Sequence, residues 1–326
     1  MLGDLVGLLR CPHCAAELAH GGSTVGCPNG HSFDVARQGY ASLLTGDART
    51  GTADTREMVG AREAFLGAGH YEPAADSLAA ECARVVAGRP GGAIVDVGAG
   101  TGYYLARTLD LLPDRVGLAL DVSKHALRRA AGAHPRIGAV ACDAWRALPV
   151  RTGVAAAVLS VFSPRNGAEM RRILRPDGIL LLITPTPRHL AELTAALGLL
   201  SVDERKEERL EDQLGPFFEL TRRSEHEWVM ALGHADVEHL VGMGPSARHT
   251  DPERTPRRSI SCPTRWRSRH LSRCPSSAAA DPYGSPAPER TAAPAAPSSR
   301  TRPPIAKAEV TSRCSSRVPS WEPSVL

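Results

Sequence analysis

The 326-residue sequence is poor in aromatic residues and has no long apolar run, and each shortage excludes a class of protein. Only 4% of the residues are Phe, Trp or Tyr, so a core must be built mainly from aliphatic side chains. A membrane-spanning helix needs about twenty successive apolar residues, and the first ten residues do not have the basic start of a secretory signal. These features predict a cytoplasmic protein with no membrane partner.

The eight cysteines are not arranged as in a small disulfide-stapled protein. Three lie near the N-terminus, two (Cys82 and Cys142) lie in apolar segments, and three are scattered through the C-terminal region. The formal net charge is +4. A charge of this size permits a nucleic-acid partner but does not predict one, because solubility alone accounts for it.

A metal-binding pattern, C-x2-C-x12-C-x3-H, lies near the N-terminus. Its members are Cys11, Cys14, Cys27 and His31. Two close pairs of this kind complete a zinc tetrahedron with no open position, so the ion would be structural rather than catalytic. The alternative is four unrelated residues in a reduced protein, and it is disfavoured because each pair opens with a Cys-Pro turn. We predict Zn²⁺ in a module of residues 1–45.

Beyond the module, the apolar pattern alternates between helix and strand. Residues 32–44 form a half-apolar connector, and two helices are predicted in residues 56–89 with a break at 67–72. Short aliphatic runs then alternate with helical segments, which predicts an α/β, Rossmann-like fold with a doubly wound, mostly parallel sheet. The predicted strands are residues 93–97, 116–120, 138–141, 155–161 and 178–184. A charged helix at 202–214, a strand at 217–232 and a helix at 236–243 follow.

A glycine-rich turn of the form D-x-G-x-G-x-G follows the first of these strands. It differs from the G-x-G-x-x-G loop of dinucleotide-binding proteins and resembles motif I of S-adenosylmethionine-dependent methyltransferases. The next two strands end in carboxylates that suit ribose hydroxyls and an adenine amino group. Each residue alone could be a turn or a helix cap, but together they predict S-adenosyl-L-methionine as the cofactor. The residues assigned to it are Asp96, Gly98, Gly100, Thr101, Gly102, Asp121 and Asp143.

The fourth strand ends in Ser160-Val-Phe-Ser-Pro-Arg-Asn166, which departs from the Asn/Asp-Pro-Pro-aromatic motif of many amino-methyltransferases. Phe162 is a candidate to stack on a base and Arg165 to contact a phosphate or base edge, although a Phe at a loop end is more often packing. Cys142 is interpreted as a core residue, which disfavours carbon methylation through a cysteine nucleophile. A nitrogen or oxygen acceptor is expected, and the catalytic residue is unknown.

The segments CPHC, CPNGHSFDVARQGYASLL, AREAFLGAGHYEP, VDVGAGTGYY, LDVSK and RPDGILLLITPTPRHLAEL resemble the RlmA family of 23S rRNA guanine-N1 methyltransferases, from about Leu9 to His249. FSPRN and VGMGPSARH are most similar to its type II branch, which includes tylosin- and mycinamicin-resistance enzymes of actinomycetes. The resemblance implies methylation of guanine N1 in a 23S rRNA hairpin loop, by resemblance guanine 748, and macrolide resistance. It adds Tyr71 and His189 to the cofactor contacts and leaves a homodimer open.

Two other functions remain open for a chain with these motifs. One is a small-molecule methyltransferase with a structural zinc module, and the other is a non-catalytic rRNA-binding protein. If RNA is the substrate, we hypothesise that Arg37, Arg56 and Arg62 wall a cleft for it together with the zinc module.

The C-terminal region changes composition after the methyltransferase domain, which we place at residues 46–249. Residues 250–326 are rich in Pro, Arg and Ser and have no periodic apolar segment. Such a tail is predicted to be disordered, or to result from a reading-frame slip after His249. We favour the slip, because the resemblance implies a short helix and a final sheet strand at this point.

Overall fold

The computed structural model describes residues 2–51, 53–89, 91–197, 205–244 and 260–273, which belong to one compact unit, Met1–Ala278. The helices are α1 (Leu2–Leu5), α2 (Arg56–Gly67), α3 (Glu72–Val86), α4 (Tyr103–Asp110), α5 (Lys124–Ala133), α6 (Gly167–Ile173), α7 (Ala191–Leu197), α8 (Lys206–Leu214) and α9 (His234–Gly242). The strands are β1 (Ala19–His20), β2 (Thr24–Gly26), β3 (Ser32–Asp34), β4 (Tyr40–Ser42), β5 (Ala93–Val97), β6 (Gly117–Asp121), β7 (Ile137–Ala141), β8 (Ala155–Val161), β9 (Leu174–Pro185), β10 (Phe218–Leu232) and β11 (Ile260–Arg273). None of these helices is long and apolar enough to cross a bilayer.

The described residues form an eight-stranded sheet in the order β10-β11-β9-β8-β5-β6-β7-β4. The strands from β9 to β4 are parallel, and β11 pairs antiparallel with both β9 and β10. Every residue of β5, β7 and β8 is buried, as expected for aliphatic strands covered by helices on both faces. The predicted Rossmann-like, mostly parallel sheet is therefore confirmed.

The N-terminal segment joins the main sheet through β4, a strand within the predicted connector of residues 32–44. β1, β2 and β3 form a small antiparallel ribbon, whereas β4 pairs in parallel with β7 at the sheet edge. Leu5 and Leu9, which precede the ribbon, are buried in the same core as Leu118 and Val140. The ribbon and the parallel sheet therefore share one hydrophobic core.

Helices α2 and α3 lie where the periodicity placed them, with the break between Gly67 and Glu72. The Thr55 hydroxyl caps α2 by accepting from the Met58 backbone N–H at 3.3 Å, which satisfies one donor of the first turn. Gly69 has a φ of +83°, a conformation that favours glycine and turns the chain. This turn places Tyr71 at the start of α3, with its side chain buried.

The prediction of a tail without structure is wrong for Ile260–Arg273. These residues form β11 and lie between β9 and β10. Cys262, Thr264 and Trp266 are buried at alternate positions, as the period of a strand requires. Interleaved polar residues hid this alternation from a reading based on apolar runs. Residues 245–259 and 274–326 lie outside the described residues.

Trp266 is the largest fully buried side chain of the described residues and has 1% of its surface exposed. It stacks on His226 of β10, with the ring centroids 4.1 Å apart. We expect Trp266→Ala to lower the free energy of unfolding by about 3–5 kcal/mol, because the truncation leaves a cavity. Urea unfolding measures this change.

Trp145, with 48% of its surface exposed, provides the matched control. Trp145→Ala should change the free energy of unfolding by about 1 kcal/mol or less. Equal effects of the two substitutions would show that β11 is not part of the cooperative fold.

Candidate active site and metal centre

The four predicted zinc ligands lie together in the N-terminal ribbon. Their ligand atoms all fall within 4.8 Å of one another. His31 Nδ1 is 3.6 Å from Cys11 Sγ and 3.4 Å from Cys27 Sγ, and the Sγ atoms of Cys14 and Cys27 are 3.7 Å apart. A zinc tetrahedron with Zn–S bonds of about 2.3 Å and a Zn–N bond of about 2.0 Å has edges of about 3.5–3.8 Å. The donor set fits a closed, structural zinc site.

The surroundings of the thiols differ, and they show what a metal would supply. A backbone hydrogen bond from Ala16 is the largest of the effects that lower the pKa of Cys14 to about 6. Burial instead raises the pKa of Cys11 to about 11. A buried thiolate needs nearby positive charge, and a divalent cation among these four donors provides it.

A cavity of about 800 Å³ opens at the carboxyl ends of the parallel strands. This is the edge at which open α/β sheets bind ligands. Among the residues assigned to the cofactor from the sequence, those that line it are Tyr71, Asp96, Gly98, Gly100, Thr101, Asp121, Asp143 and His189. Gly102 is not among the lining residues. Its φ is +81°, and a Cβ there would come within 3.0 Å of Ala130 Cα, so this glycine permits close packing of α5.

The glycine loop after β5 is pressed against the end of β8. Gly98 has a φ of +77°, and a Cβ on it would lie 2.4 Å from Ser163 Cβ. The Ser163 hydroxyl holds this contact by donating to the Val97 carbonyl oxygen at 2.6 Å. A larger residue at position 98 would push the two loops apart, and the floor of the cavity would change shape.

Asp96 ends β5 with its carboxyl group buried and 1% of the residue exposed. Neither oxygen has a hydrogen-bond partner in the described structure. Burial, together with the negative charge of Asp121, raises the pKa of this carboxyl to about 8. A buried polar group without a partner is costly, and two unpaired oxygens at the edge of a cavity suit a donor on a bound ligand.

Asp121 and Asp143 are oriented by backbone donors. Asp121 accepts from the N–H groups of Gly100 and Ser123, each at 2.8 Å. Asp143 accepts from Trp145 N–H at 2.9 Å and from Arg49 N–H at 3.0 Å. Burial raises the pKa of Asp121. The two carboxylates are thereby fixed at the end of β6 and just after β7.

An aromatic wall closes the side of the cavity next to β8. Phe162 has 40% of its surface exposed, and its ring centroid lies 6.1 Å from that of Tyr71 and 5.8 Å from that of His189. Its φ is +51°, a left-handed conformation that costs a non-glycine residue about 1–2 kcal/mol. The anchored Ser163 beside it keeps the ring in the cavity.

The three arginines hypothesised to face RNA are not equivalent. Arg62 lines the cavity, forms an ion pair with Asp54 and donates to the Met243 carbonyl oxygen at 3.0 Å. Arg37 and Arg56 are exposed and are not among the cavity-lining residues. Arg165, a candidate for phosphate contact, is also absent from the lining of this cavity.

Reasoning from single residues did not identify Tyr71 or His189, which only the family resemblance suggested. The Tyr71 hydroxyl lies 3.3 Å from His189 Nε2 although the residues are 118 positions apart. Neither the turn before α3 nor the loop after β9 contains a local signal of this contact. The inward direction of Arg62 was missed for the same reason.

Two family models match the chain. A model described as the RlmA N-terminal zinc ribbon matches residues 9–48, and a model described as a methyltransferase domain matches residues 94–178.

Curated relatives match over most of the chain. A Streptomyces fradiae protein named 23S rRNA (guanine(748)-N(1))-methyltransferase is 48% identical over 263 residues, which covers 81% of this chain and 94% of the relative. A Micromonospora griseorubida protein with the provisional name 23S rRNA (guanine-N(1)-)-methyltransferase is 52% identical over 267 residues, covering 77% and 90%. Among solved structures, the YcgJ protein of Bacillus subtilis is 14% identical with a TM-score of 0.42, covering 60% of this chain and 98% of its own. That likeness is too weak to support an argument about activity.

The metal centre yields a direct expectation for zinc content. Cys14→Ser should lower bound zinc from about one ion per chain to a small fraction, because a closed site needs all four ligands. Metal analysis of the purified protein by mass spectrometry measures this. His13→Ala is the matched control, because the His13 ring lies 5.0 Å from that of His31 but is outside the ligand group. Zinc retained by Cys14→Ser and lost by His13→Ala would refute the assignment.

The buried Asp96 carboxyl yields an expectation for stability against pH. Its folded pKa of about 8 lies above its unfolded value of about 4. The contribution of Asp96 is therefore fully present below about pH 4 and is lost as the pH rises towards 8, by up to about 1.4 kcal/mol per pH unit. Asp96→Asn should remove this decline.

Urea unfolding at pH 5.5 and pH 8.5 measures the difference between wild type and Asp96→Asn. Asp114, an exposed residue of the loop before β6, provides the control. Asp114→Asn should keep the wild-type pH dependence. The assignment of the buried acid fails if Asp96→Asn shows the same decline as the wild-type protein.

Proposed function

Because the chain belongs to the family of 23S rRNA (guanine-N1)-methyltransferases with an RlmA-type zinc ribbon, we propose that it methylates N1 of a guanine in a 23S rRNA hairpin loop. The observation that carries the proposal is the cavity at the carboxyl ends of β5 to β8. Carboxylates line it on one side and an aromatic wall on the other. S-adenosylmethionine, the cofactor of the methyltransferase domain, supplies an electrophilic methyl group when bound. Guanine 748 is the proposed target, on the basis of the Streptomyces relative.

We assign the cofactor-facing residues by the chemistry of their side chains. Asp121 suits the ribose hydroxyls, and Asp143 with Trp145 suits the adenine ring and its amino group. The unpaired oxygens of Asp96 suit the ammonium group of the methionine moiety, because a charge-assisted hydrogen bond would offset the cost of their burial. Arg62, beside Gly100 in the cavity, suits the carboxylate of that moiety. Tyr71 and His189 complete the proposed site.

Phe162 is the residue that we assign to the methyl acceptor. An extruded guanine needs an apolar surface on which to stack, and the Phe162 ring is exposed within the cavity. Holding base and cofactor in line supplies much of the acceleration in a direct methyl transfer. N1 of neutral guanine also carries a proton that must leave, and we assign positioning rather than proton removal to the residues named here.

The ribbon supports the proposed RNA contact. Zn²⁺ held by Cys11, Cys14, Cys27 and His31 would keep its two turns rigid, and Arg37 lies exposed just after β3.

We extend the proposal to a cytoplasmic location, to a homodimer and, on the type II resemblance, to resistance against macrolides such as tylosin or mycinamicin. Growth of a sensitive host on tylosin with and without the gene tests the resistance.

Primer extension on 23S rRNA from a sensitive host, with and without this protein, tests the reaction. A methyl group on guanine N1 blocks Watson–Crick pairing, so we expect a new reverse-transcriptase stop one nucleotide before guanine 748. A stop at another guanine would keep the reaction and correct the target. Absence of any stop with a zinc-loaded, cofactor-binding protein would contradict the proposal and favour a small-molecule acceptor or a non-catalytic rRNA-binding role.

Two variants distinguish the proposed cofactor contact from the proposed guanine contact in the same experiment. Asp121→Ala should remove the stop together with cofactor binding, because it deletes the proposed ribose contact. Phe162→Ala should weaken the stop at least about tenfold, the loss of one stacked base, while cofactor affinity measured by calorimetry stays within about twofold of wild type. Loss of cofactor binding by Phe162→Ala would place this ring at the cofactor instead.

A further inference from the structure

The imidazole of His189 is held by β11, the strand formed by C-terminal residues. His189 Nδ1 lies 2.9 Å from the backbone oxygen of Arg265 and 3.0 Å from Thr264 Oγ1. A carbonyl oxygen can only accept a hydrogen bond, so in the neutral ring Nδ1 carries the hydrogen. Nε2 is then the acceptor of the ring. The bond made by one ring nitrogen thus determines what the other can do.

That second nitrogen faces Tyr71. The Tyr71 hydroxyl lies 3.3 Å from His189 Nε2. Burial raises the pKa of the Tyr71 hydroxyl, and a hydrogen bond with Thr264 partly offsets the rise. The hydroxyl therefore stays protonated and donates to Nε2. Thr264 is itself fully buried, so its own hydroxyl lies against these two side chains without access to solvent.

Tyr71 and His189 line the cavity, whereas Thr264 and Arg265 are not among its lining residues. The Arg265 carbonyl oxygen and the Thr264 hydroxyl both contact Nδ1 and share its hydrogen, so the imidazole is held at this nitrogen from two sides. The Thr186 backbone N–H also donates to the Arg265 oxygen, at 3.3 Å, and ties the loop that carries His189 to the same strand. β11 thus holds two cavity residues without touching the cavity.

We propose that Thr264 is a positioning residue of the methyltransferase: together with the Arg265 carbonyl, which sets the tautomer, it holds the imidazole of His189, and with it the hydroxyl of Tyr71, in the orientation for cofactor binding. The inference rests on the proposed function, and it makes the C-terminal strand part of the active site. A threonine fits this position because residue 264 is fully buried, and a side chain without a hydroxyl would remove one hydrogen-bond partner from His189 and one from Tyr71.

The test compares Thr264→Val with Ser268→Ala in the full chain. Ser268 lies on the same strand, and its hydroxyl also bonds a histidine, His226, at 3.2 Å, but it does not line the cavity that contains Tyr71 and His189. Thr264→Val should weaken binding of S-adenosylmethionine about fivefold to tenfold, in line with the loss of one buried hydrogen bond. Thr264→Ser should restore binding, and Ser268→Ala should bind like the wild type.

The ¹⁵N chemical shifts of the His189 imidazole distinguish a positioning role of Thr264 from a general loss of stability. In the wild type, the ¹⁵N shifts of His189 should report the tautomer with hydrogen on Nδ1, and Thr264→Val should change them in the folded protein, well below its unfolding midpoint. Combined with His189→Ala, Thr264→Val should add no further loss of affinity, because the two residues act as one unit.

Different results would contradict the role of Thr264 and the proposed methyltransferase function. Wild-type affinity in Thr264→Val, or equal losses in Thr264→Val and Ser268→Ala, would overturn the inference while leaving wild-type methylation intact. A wild-type protein that binds no S-adenosylmethionine would instead remove the proposed function, and the inference with it.

Discussion

The carboxyl group of Asp96 is buried near the end of a central strand with no hydrogen-bond partner among the described residues, and the rest of the site is arranged around it. Desolvation of such a group opposes folding, so the packed strands on both sides must offset that cost. β5 can do so because all of its residues are buried between β6 and β8. A ligand that donates a hydrogen bond to this carboxyl group would offset its desolvation cost, and the free energy of binding would become more favourable by that amount.

The glycine loop lies beside that buried acid and forms the floor of the cavity. Gly98 lets the loop after β5 approach Ser163 more closely than any side chain would permit. The close contact also fixes Ser163, the residue that follows Phe162 in the chain. The glycine loop at the floor of the cavity and the aromatic wall are therefore held by the same contact. The proposed cofactor and acceptor faces therefore depend on one close contact between two loops.

The edges of the sheet are completed by segments remote in sequence from its centre. β4 comes from the N-terminal segment, and Leu5 and Leu9 of the same segment share a core with the parallel strands. β11 comes from the C-terminal segment and carries a buried arginine, Arg269. Its guanidinium is tolerated because it pairs with Glu207 and donates to Thr184 Oγ1 at 2.6 Å, as a buried charge requires.

Some features of this protein could be read from the sequence because they depend on near neighbours in the chain. The Cys-Pro turns predicted the zinc ligands, the glycine spacing predicted the loop after β5, and aliphatic runs predicted the parallel strands within a few residues. Local spacing is enough where the interacting groups are a few residues apart. β11 was missed because polar residues alternate with its buried ones and its partners lie far away in the sequence.

The meeting of Tyr71, His189 and Thr264 was decided only by the tertiary structure. His189 lies 118 positions from Tyr71 and 75 from Thr264, and no periodicity relates them. They come together because the turn before α3, the loop after β9 and the antiparallel strand β11 pack against one sheet. Sequence spacing alone determined the zinc ligands and the glycine loop of the cofactor site, whereas long-range packing decided which side chains share a cavity, because burial of apolar faces joins segments that have no local reason to meet.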